Sequence, residues 1–483
     1  MAQIQLRQLD GYRWLVPQDQ SLGMRTDGLI FADDKLIQDL RDDPTLQQVA
    51  NVASLPGIVG KSLAMPDCHM GYGFPIGGVA AFDIHEGVIS PGGVGYDINC
   101  GVRLLRSDLT REDVADKLED LSGHIFGSVP AGVGKSGSFK LGRQQLEAVL
   151  NQGARWAVAQ GYGSEGDLEH TEAGGCLPGA EASALSSRAL ERGGPQLGTL
   201  GSGNHFLEIQ VVDWIDDQQV AAAFGLEQVN QVCVMIHCGS RGLGHQVCDD
   251  AIGVMLKAAA KYGIELRDRQ LACAPVDSPE GRTYYAAMAA AANYAWANRQ
   301  AITHQVRAGF EQVLRAGSKQ LGLRLVYDVA HNVAKFETHQ VNGAQKELCV
   351  HRKGATRAFG PGHPELPEDY REYGQPVLVP GDMGTASHLL VGTAGAMEQS
   401  WGSTCHGAGR RMSRKAALRR QHSDEVRAKL TQQGIVVRAV GKKTLAEEAP
   451  EAYKDVDEVV AVCHGAGISR RVARLRPLAV IKG

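Results

Sequence analysis

The glycine-rich turn at residues 92–101 is the feature that most constrains how this chain folds. Its sequence is Gly-Gly-Val-Gly-Tyr-Asp-Ile-Asn-Cys-Gly, so four of ten positions are glycine, and Asp97 and Cys100 lie three residues apart. Glycine lets the backbone adopt conformations closed to other residues and approach a bound group closely. A carboxylate and a thiolate at this spacing can bind one ion, and a thiolate can bridge two. The turn therefore predicts half of a metal site; the alternative is a tight turn around an inert, buried cysteine.

Composition limits the classes of function open to the chain. The 483 residues are 43% hydrophobic and 22% charged, as in soluble globular proteins. Because the net charge is −4, a polyanion could bind only at a local basic patch. Ten cysteines without a C-x-x-C pair, and no apolar stretch after Met1, predict a reducing, cytoplasmic location. The longest nearly apolar run, residues 286–292, is too short to span a bilayer, so no membrane role is expected.

Three histidines close strand-like runs beside glycine turns. Asn204, His205 and Glu208 follow a glycine cluster at the start of an apolar run, and His237 ends the run 232–237 before a turn that leads to Arg241. His331 follows the run 323–329. A ligand at the end of a strand, followed by a glycine turn and a helix, is the usual site geometry of α/β proteins.

Together these segments offer one carboxylate, one thiol and three imidazoles, from Asp97, Cys100, His205, His237 and His331. Five ligands exceed one tetrahedral site but suit two divalent ions that share a thiolate, and such a pair can bind phosphoryl oxygens. A structural zinc site is the alternative, although it favours short-range ligand pairs that this sequence lacks. Ligand softness alone would also allow zinc at the paired site.

A basic run near the C-terminal end is the one local cationic patch. It follows His406 and contains Arg410, Arg411, Arg414, Lys415, Arg419 and Arg420. We expect a helix that begins just after His406, so that the patch either binds phosphates at a helix N-terminus or is a solvated face. The pentapeptide Cys405-His-Gly-Ala-Gly recurs at residues 463–467, and spacing alone does not rank His406 above His464.

The remaining segments are predicted as scaffold. Thr110 and Asp113 indicate a helix start, and the alanine-rich stretch 285–316 indicates one or two long helices. The acidic segment 165–172 is expected to be a solvated loop. Residues 133–136, Val-Gly-Lys-Ser, do not complete a P-loop because position 129 is valine.

Several long motifs closely resemble the RtcB family of RNA ligases. They are Pro66-Asp-Cys-His-Met-Gly-Tyr-Gly, Gly95-Tyr-Asp-Ile-Asn-Cys-Gly, Gly201-Ser-Gly-Asn-His-Phe, His237-Cys-Gly-Ser-Arg-Gly, Ala330-His-Asn, His351-Arg-Lys-Gly-Ala-Thr-Arg, Pro380-Gly-Asp-Met-Gly and His406-Gly-Ala-Gly-Arg. The resemblance implies an α/β fold: a single large RtcB-type domain over residues 1–483, with mixed sheets around a central metal and nucleotide cleft.

The resemblance also implies an activity. Members of the family join RNA 2′,3′-cyclic phosphate or 3′-phosphate ends to 5′-hydroxyl ends with GTP and two Mn²⁺ ions, in tRNA splicing and RNA repair. The reaction runs through a histidine-GMP intermediate and an RNA 3′-guanylate. The implied partners are RNA ends such as tRNA halves and damaged RNA, and some members work with the small protein Archease.

Carried over by position, the resemblance implies a role for each site residue. Asp97, Cys100 and His205 would bind one manganese ion, Cys100, His237 and His331 would bind the other, and His406 would be the nucleophile. The implied nucleotide site comprises Asn204, His205, Phe206, Glu208, His331, Asn332, Pro380, Gly381, Asp382, Met383, Ser387, His406, Gly407, Ala408, Gly409, Tyr453 and Lys482. Asp67 would lie near the guanylate. Arg241, Arg352 and Arg357 would either contact RNA phosphates or form surface salt bridges.

Two other functions fit the same residues. A dinuclear metallophosphoesterase or nuclease would use the same ligands to activate water and would need no nucleotide. A non-catalytic RNA-binding protein with a structural metal would need the ligands only for folding.

Overall fold

Two large sheets organise the protein, for which the computed structural model describes residues 4–483. The strands are β1 (Arg7–Gln8), β2 (Arg13–Val16), β3 (Gly28–Phe31), β4 (Ile58–His69), β5 (Ile76–Asp83), β6 (Val88–Ile89), β7 (Gly101–Thr110), β8 (Phe206–Ile215), β9 (Gln231–Cys238), β10 (Ala274–Pro275), β11 (Arg324–Ala330), β12 (Asn332–Val341), β13 (Ala344–Lys353), β14 (Ala355–Arg357), β15 (Pro376–Val379), β16 (Ser387–Gly392), β17 (Ser403–Cys405), β18 (Val436–Ala439) and β19 (Ser469–Lys482).

Helices cover these sheets. They are α1 (Asp34–Leu40), α2 (Thr45–Val52), α3 (Arg111–Val114), α4 (Leu118–Ser128), α5 (Arg143–Gln152), α6 (Ala154–Ala159), α7 (Glu165–Glu169), α8 (Ser187–Gly193), α9 (Gln218–Ala223), α10 (Arg241–Lys261), α11 (Pro279–Leu314), α12 (Ala394–Gln399), α13 (Arg414–Arg420), α14 (Ser423–Gln432), α15 (Lys442–Glu447) and α16 (Val456–Gly465).

Both large sheets are mixed. The first has the strand order β1-β2-β3-β4-β5-β13-β12, and the second has the order β11-β7-β9-β8-β19-β16-β15, with β18 beside β19. The pairs β3–β4 and β18–β19 are parallel, whereas the other neighbours in these sheets are antiparallel. The expectation of an α/β fold with mixed sheets is confirmed.

The centre of the second sheet is its most apolar part. Every residue of β9, Gln-Val-Cys-Val-Met-Ile-His-Cys, is buried, and β9 lies between β7 and β8. β-Branched and apolar residues on both faces suit a strand covered on two sides. His237 is therefore a polar ring at the end of an otherwise apolar strand.

The alanine-rich segment forms one helix, α11, of 36 residues. Ser278 caps it by accepting a hydrogen bond from the Gly281 amide at 3.0 Å, and Pro279 occupies its first turn. Alanine favours the helix and lets neighbouring elements approach closely. Polar residues at 298–300 are buried along the same helix, and the network they form is described with the site.

Three local predictions have definite outcomes. The helix start at Thr110 is confirmed, because the Thr110 amide donates to Asp113 Oδ2 at 2.7 Å in a capping box. The solvated loop at 165–172 is wrong: this segment contains α7, Asp167 is buried against Arg307, and Glu172 is buried against Lys335. Buried charges need such partners. In the described part of the chain, no helix is both long and apolar enough to cross a bilayer.

Candidate metal and nucleotide site

Strand register brings the predicted metal ligands together. Strands β7 and β9 are antiparallel with Val102 opposite His237, so Cys100, just before β7, lies beside the end of β9. Strand β8 pairs Phe206 with His237, which places His205 there as well. The end of β11 pairs with the start of β7 through Ala330 and Gly101, and His331 follows immediately.

The five side chains form two groups that share Cys100. Its Sγ lies 3.3 Å from Nε2 of His205 and 3.3 Å from Nε2 of His237. His205 Nε2 lies 2.6 Å from Asp97 Oδ2, and His237 Nε2 lies 3.4 Å from His331 Nε2. Within each group the possible ligand atoms all lie within 4.8 Å of one another. The arrangement fits two ions that share a thiolate, and the ligand roles themselves stay predictions.

The charges of the first group favour a cation between Asp97 and His205. Burial raises the pKa of the Asp97 carboxyl, but the charge and hydrogen bond of His205, together with the charge of Arg241, outweigh burial and lower that pKa to about 2. Burial would lower the pKa of His205, but Asp97 and Cys100 raise it well above its usual value. His205 Nε2 and Asp97 Oδ2 are thus close enough for one cation to link them.

The second group supplies neutral imidazoles. Burial, together with neighbouring histidine charges, lowers the pKa values of His237 and His331 well below the usual value, and metals bind the neutral ring. Burial and then Asp97 raise the pKa of the Cys100 thiol to about 11, so a bound cation would be needed to hold the thiolate at neutral pH. Asp97 Oδ1 is buried without a hydrogen-bond partner in the described structure, as expected for a ligand atom. The donor set fits divalent transition metals.

A buried ion-pair network holds the metal-binding turns from behind. Arg299 donates from Nη1 to the carbonyl oxygens of Asn99 and Cys238, each at 2.8 Å. Its other nitrogens bond Asp328 at 2.7 and 2.8 Å, and Arg103 bonds the same carboxylate at 2.7 Å. Asn99 precedes Cys100, and Cys238 follows His237. The network thus fixes the backbone beside two predicted ligands.

His406 lies next to this centre, directly after β17. Its ring centroid is 4.9 Å from that of His331. Asp67 Oδ2 lies 2.5 Å from His406 Nδ1 and accepts from the His406 amide at 2.9 Å. The predicted helix at this position is wrong, because α13 begins only at Arg414 and residues 406–409 form an irregular turn. The backbone amides that donate to Asp67 Oδ2, those of His406 and Gly407, belong to that turn.

A cavity of about 260 Å³ joins His406 to the metal centre. His237, His331 and His406 all line it. The cavity also contains these residues from the predicted nucleotide site: Asn204, Phe206, Asn332, Pro380, Gly381, Asp382, Met383, Gly407, Ala408, Gly409, Tyr453 and Lys482. A larger cavity, of about 700 Å³, lies elsewhere and is lined by none of the predicted site residues.

Three predicted nucleotide-site residues lie outside the lining of this cavity. His205 belongs to the candidate metal-binding group, and Glu208 and Ser387 are buried and linked by Gln210. Gln210 Nε2 donates to Glu208 Oε2 at 2.7 Å and to Ser387 Oγ at 3.1 Å. Burial raises the pKa of Glu208 to about 8, since only this amide and the more distant Lys482 oppose it.

Sequence reasoning missed two ionisable residues of the cavity. Glu448 is buried and binds Arg410 Nη1 at 3.0 Å, Arg414 Nε at 2.9 Å and the Tyr453 hydroxyl. No motif surrounds Glu448, so the sequence offered no signal for it. His69 also lines the cavity, and its place in the Asp-Cys-His motif could have indicated it.

The two arginines of the 351–357 motif are not available to RNA. Arg352 is fully buried and bonds both Glu337 oxygens, at 2.5 and 2.9 Å, and Arg357 is fully buried between Glu365 and Gln375. Their predicted RNA contact is wrong, and each forms its salt bridge from a buried guanidinium rather than on the surface as the alternative had it. Arg241, in contrast, begins α10, and its Nη1 lies 3.1 Å from His205 Nδ1.

Comparisons with known proteins agree with the motifs. A family model described as tRNA-splicing ligase RtcB matches residues 48–483. The protein of that description from Archaeoglobus fulgidus is 58% identical over 478 residues, 99% of each chain. The one from Thermococcus kodakarensis is 55% identical over 480 residues, again 99% of each chain. The one from Pyrobaculum aerophilum is 50% identical over 485 residues, all of both chains.

Proposed function

The chain belongs to the RtcB family, and from that membership we propose that it is a GTP- and Mn²⁺-dependent RNA ligase of tRNA splicing and RNA repair. It joins 2′,3′-cyclic phosphate or 3′-phosphate ends to 5′-hydroxyl ends. Its substrates are tRNA halves and damaged RNA. A cytoplasmic location and an Archease partner remain predictions from the sequence.

One observation carries the proposal. A single cavity is lined by His406 and by His237 and His331 of the metal centre, and the His331 and His406 rings lie 4.9 Å apart between centroids. An imidazole that can attack phosphorus therefore lies beside groups that can hold cations. A nuclease needs the cations alone, whereas a guanylylating ligase needs this combination.

The first covalent step is assigned to His406. Its Nε2 attacks the α-phosphorus of GTP, an N–P bond forms, and the bond to the leaving pyrophosphate breaks. Asp67 at Nδ1 fixes the ring and stabilises the positive charge that develops on it, as the orienting carboxylate of a catalytic dyad does. Arg410 and Arg414, both held by Glu448, supply positive charge at the same cavity.

A 2′,3′-cyclic phosphate end is first hydrolysed, as water adds to its phosphorus and the bond to the 2′-oxygen breaks, which leaves a 2′-hydroxyl and a 3′-phosphate. Two further displacements then complete ligation. An oxygen of the RNA 3′-phosphate attacks the phosphorus, which breaks the N–P bond and releases His406. The 5′-hydroxyl then attacks the RNA 3′-phosphorus and expels GMP, which forms the phosphodiester. Manganese ions held by Asp97, Cys100, His205, His237 and His331 would act as Lewis acids on phosphoryl oxygens.

Labelling with α-³²P-GTP and Mn²⁺ tests the proposal. We expect an acid-labile, alkali-stable label on the wild type and none on His406→Ala, and His464→Ala is the matched control that keeps the label. A nuclease would cleave RNA without any covalent nucleotide. A structural metal would be indicated if Cys100→Ala unfolded the chain, and we expect a folded, inactive protein instead.

A further inference from the structure

A line of three partly exposed rings leads away from the open side of the metal centre. Asp97 is the most exposed of the five predicted ligands, with 31% of its side chain accessible. Tyr96 precedes it, and its ring lies 4.8 Å from His245 and 5.5 Å from Tyr72, centroid to centroid. The rings therefore form a cluster beside the exposed side of Asp97, in which Tyr96 is tilted by 34° against His245 and meets Tyr72 edge-on at 66°.

Local structure fixes the direction of this line. His245 follows Arg241 by four residues in the first turn of α10, and Arg241 itself has a left-handed backbone, with a φ of +55°. Arg241 contacts His205 at the metal centre, and His245 continues outward along the helix. Gly95 has a φ of +94°, a conformation that suits glycine and turns the backbone just before Tyr96.

The charges differ along the rings: Lys353 Nζ lies 6.0 Å from the centroid of the Tyr72 ring, and a carboxylate lies beside His245. The Asp249 carboxylate lies 3.4 Å from His245 Nδ1, and a carboxylate at this position repels a phosphate. Arg241, at the inner end of the line, attracts one. Aromatic faces bind any unpaired nucleobase by stacking, without a need for sequence recognition. The inner end suits a backbone phosphate and the outer part suits base faces.

We propose that Tyr72, Tyr96 and His245 form a stacking platform for the unpaired nucleobases of an RNA end bound at the metal centre. The inference rests on the proposed function and adds a substrate-positioning surface to it. It explains the partial exposure of rings that neither metal binding nor guanylylation uses. Ligation of single-stranded ends would then depend on bases that take no part in the chemistry.

The first test replaces the Tyr96 ring by an apolar side chain without a π-face. Tyr96→Leu is expected to raise KM for single-stranded RNA about 5- to 100-fold, the range of one lost base stack, while Tyr96→Phe stays within about twofold of the wild type. Tyr72→Ala and His245→Ala, both away from the ligands, are expected to raise KM in the same direction. Trp214→Ala, an exposed ring on β8, is the control that leaves KM unchanged.

Abasic RNA separates stacking from a general disturbance of the site. RNA pairs with abasic residues at the 3′-phosphate end or at the 5′-hydroxyl end are ligated by the wild type and by Tyr96→Leu. We expect the abasic change and the Tyr96→Leu change to be non-additive for one of the two ends, which identifies the strand that stacks. Additive losses at both ends, or an unchanged KM in Tyr96→Leu, overturn the platform.

Protein-GMP formation, which needs no RNA, keeps the two proposals apart. If the wild type takes up no label from GTP, the proposed function fails. If the wild type is labelled, ligates RNA and does not discriminate between base-bearing and abasic ends, only the platform fails.

Discussion

The Asp67 carboxylate holds His406 at two points and Gly407 at a third: the His406 ring nitrogen Nδ1 at 2.5 Å, the His406 amide at 2.9 Å and the Gly407 amide at 3.3 Å. Gly409, with a φ of +71°, lets the following backbone pass against Asp67, since a Cβ there would lie 2.2 Å from the Asp67 carbonyl oxygen. Both the ring and the turn that carries it are thus positioned by one carboxylate. Nε2 is left as the reactive nitrogen.

Replacement of Asp67 by asparagine tests this relationship. Asp67→Asn keeps the shape of the side chain but loses the charge that stabilises a developing imidazolium. We expect the rate of protein-GMP formation to fall about 100- to 10,000-fold, the range found for orienting carboxylates of catalytic histidines. Rapid-quench labelling with GTP measures it. Asp39→Asn, at an exposed carboxylate paired with Arg411, should leave the rate unchanged, and a wild-type rate in Asp67→Asn would disprove the role.

Because both ligand groups contain Cys100, its replacement should change the number of metal ions bound. Since Cys100 belongs to both ligand groups, Cys100→Ala should weaken both Mn²⁺ sites, whereas Asp97→Ala should weaken one. We expect losses greater than the 10- to 100-fold that removal of an outer-shell group causes. Equilibrium dialysis gives the number of ions bound, and the electron paramagnetic resonance spectrum reports coupling between them.

Cys233→Ala provides the matched control for this experiment. Cys233 is also buried on the second sheet, but it belongs to neither ligand group. Its replacement should leave two coupled ions in place. Retention of both ions by Cys100→Ala would contradict the shared-thiol arrangement.

The metal-centre residues could be predicted from sequence because each one lies in a short motif at the end of a strand. His205, His237 and His331 are separated by long stretches of chain, yet each adjoins a glycine turn or a strand end. The register of the paired strands then brings the three side chains together. What the sequence could not supply was the register itself. Pairing of β7 with both β9 and β11 depends on contacts between segments more than one hundred residues apart.

Charged residues were predicted less well because their burial depends on distant partners. Asp167 and Glu172 were expected in solvent, but both are buried, where they form ion pairs with Arg307 and Lys335. Arg352 was considered for RNA because Glu337, its partner on the neighbouring strand, is not apparent from the motif. Arg410 was expected within a helix, but it pairs with Glu448 instead and lies before α13. Long-range ion pairs leave little trace in local composition.

The network behind the metal centre should contribute to both stability and metal affinity. Arg299→Met leaves two carbonyl oxygens without a donor and removes one of the two arginines from buried Asp328. We expect unfolding free energy to fall by about 3–5 kcal/mol, as for other broken buried pairs. Denaturant unfolding measures this, and Mn²⁺ affinity should fall about 10- to 100-fold in the folded fraction.

A surface arginine supplies the comparison for Arg299. Arg143 is largely exposed and pairs only with Glu147 one turn away, so Arg143→Met should change unfolding free energy by less than about 0.5 kcal/mol. Equal effects of the two substitutions would show that the network has no special part in holding the metal-binding turns.

The raised pKa of the buried Glu208 carboxyl should make the stability of the folded protein depend on pH. Burial raises its pKa to about 8 in the folded protein, so between the unfolded value near about 4.5 and this value the folded state binds more protons than the unfolded state. Stability of the nucleotide-free protein should therefore fall as pH rises through this window. Glu208→Gln, which cannot ionise, should melt at a higher temperature than the wild type, by a margin that grows from about pH 5 to about pH 9. Thermal unfolding across this range measures the margin. Glu147→Gln, at a partly exposed carboxylate, should show no such trend, and a constant margin for Glu208→Gln would mean that the carboxyl is already ionised in the folded protein.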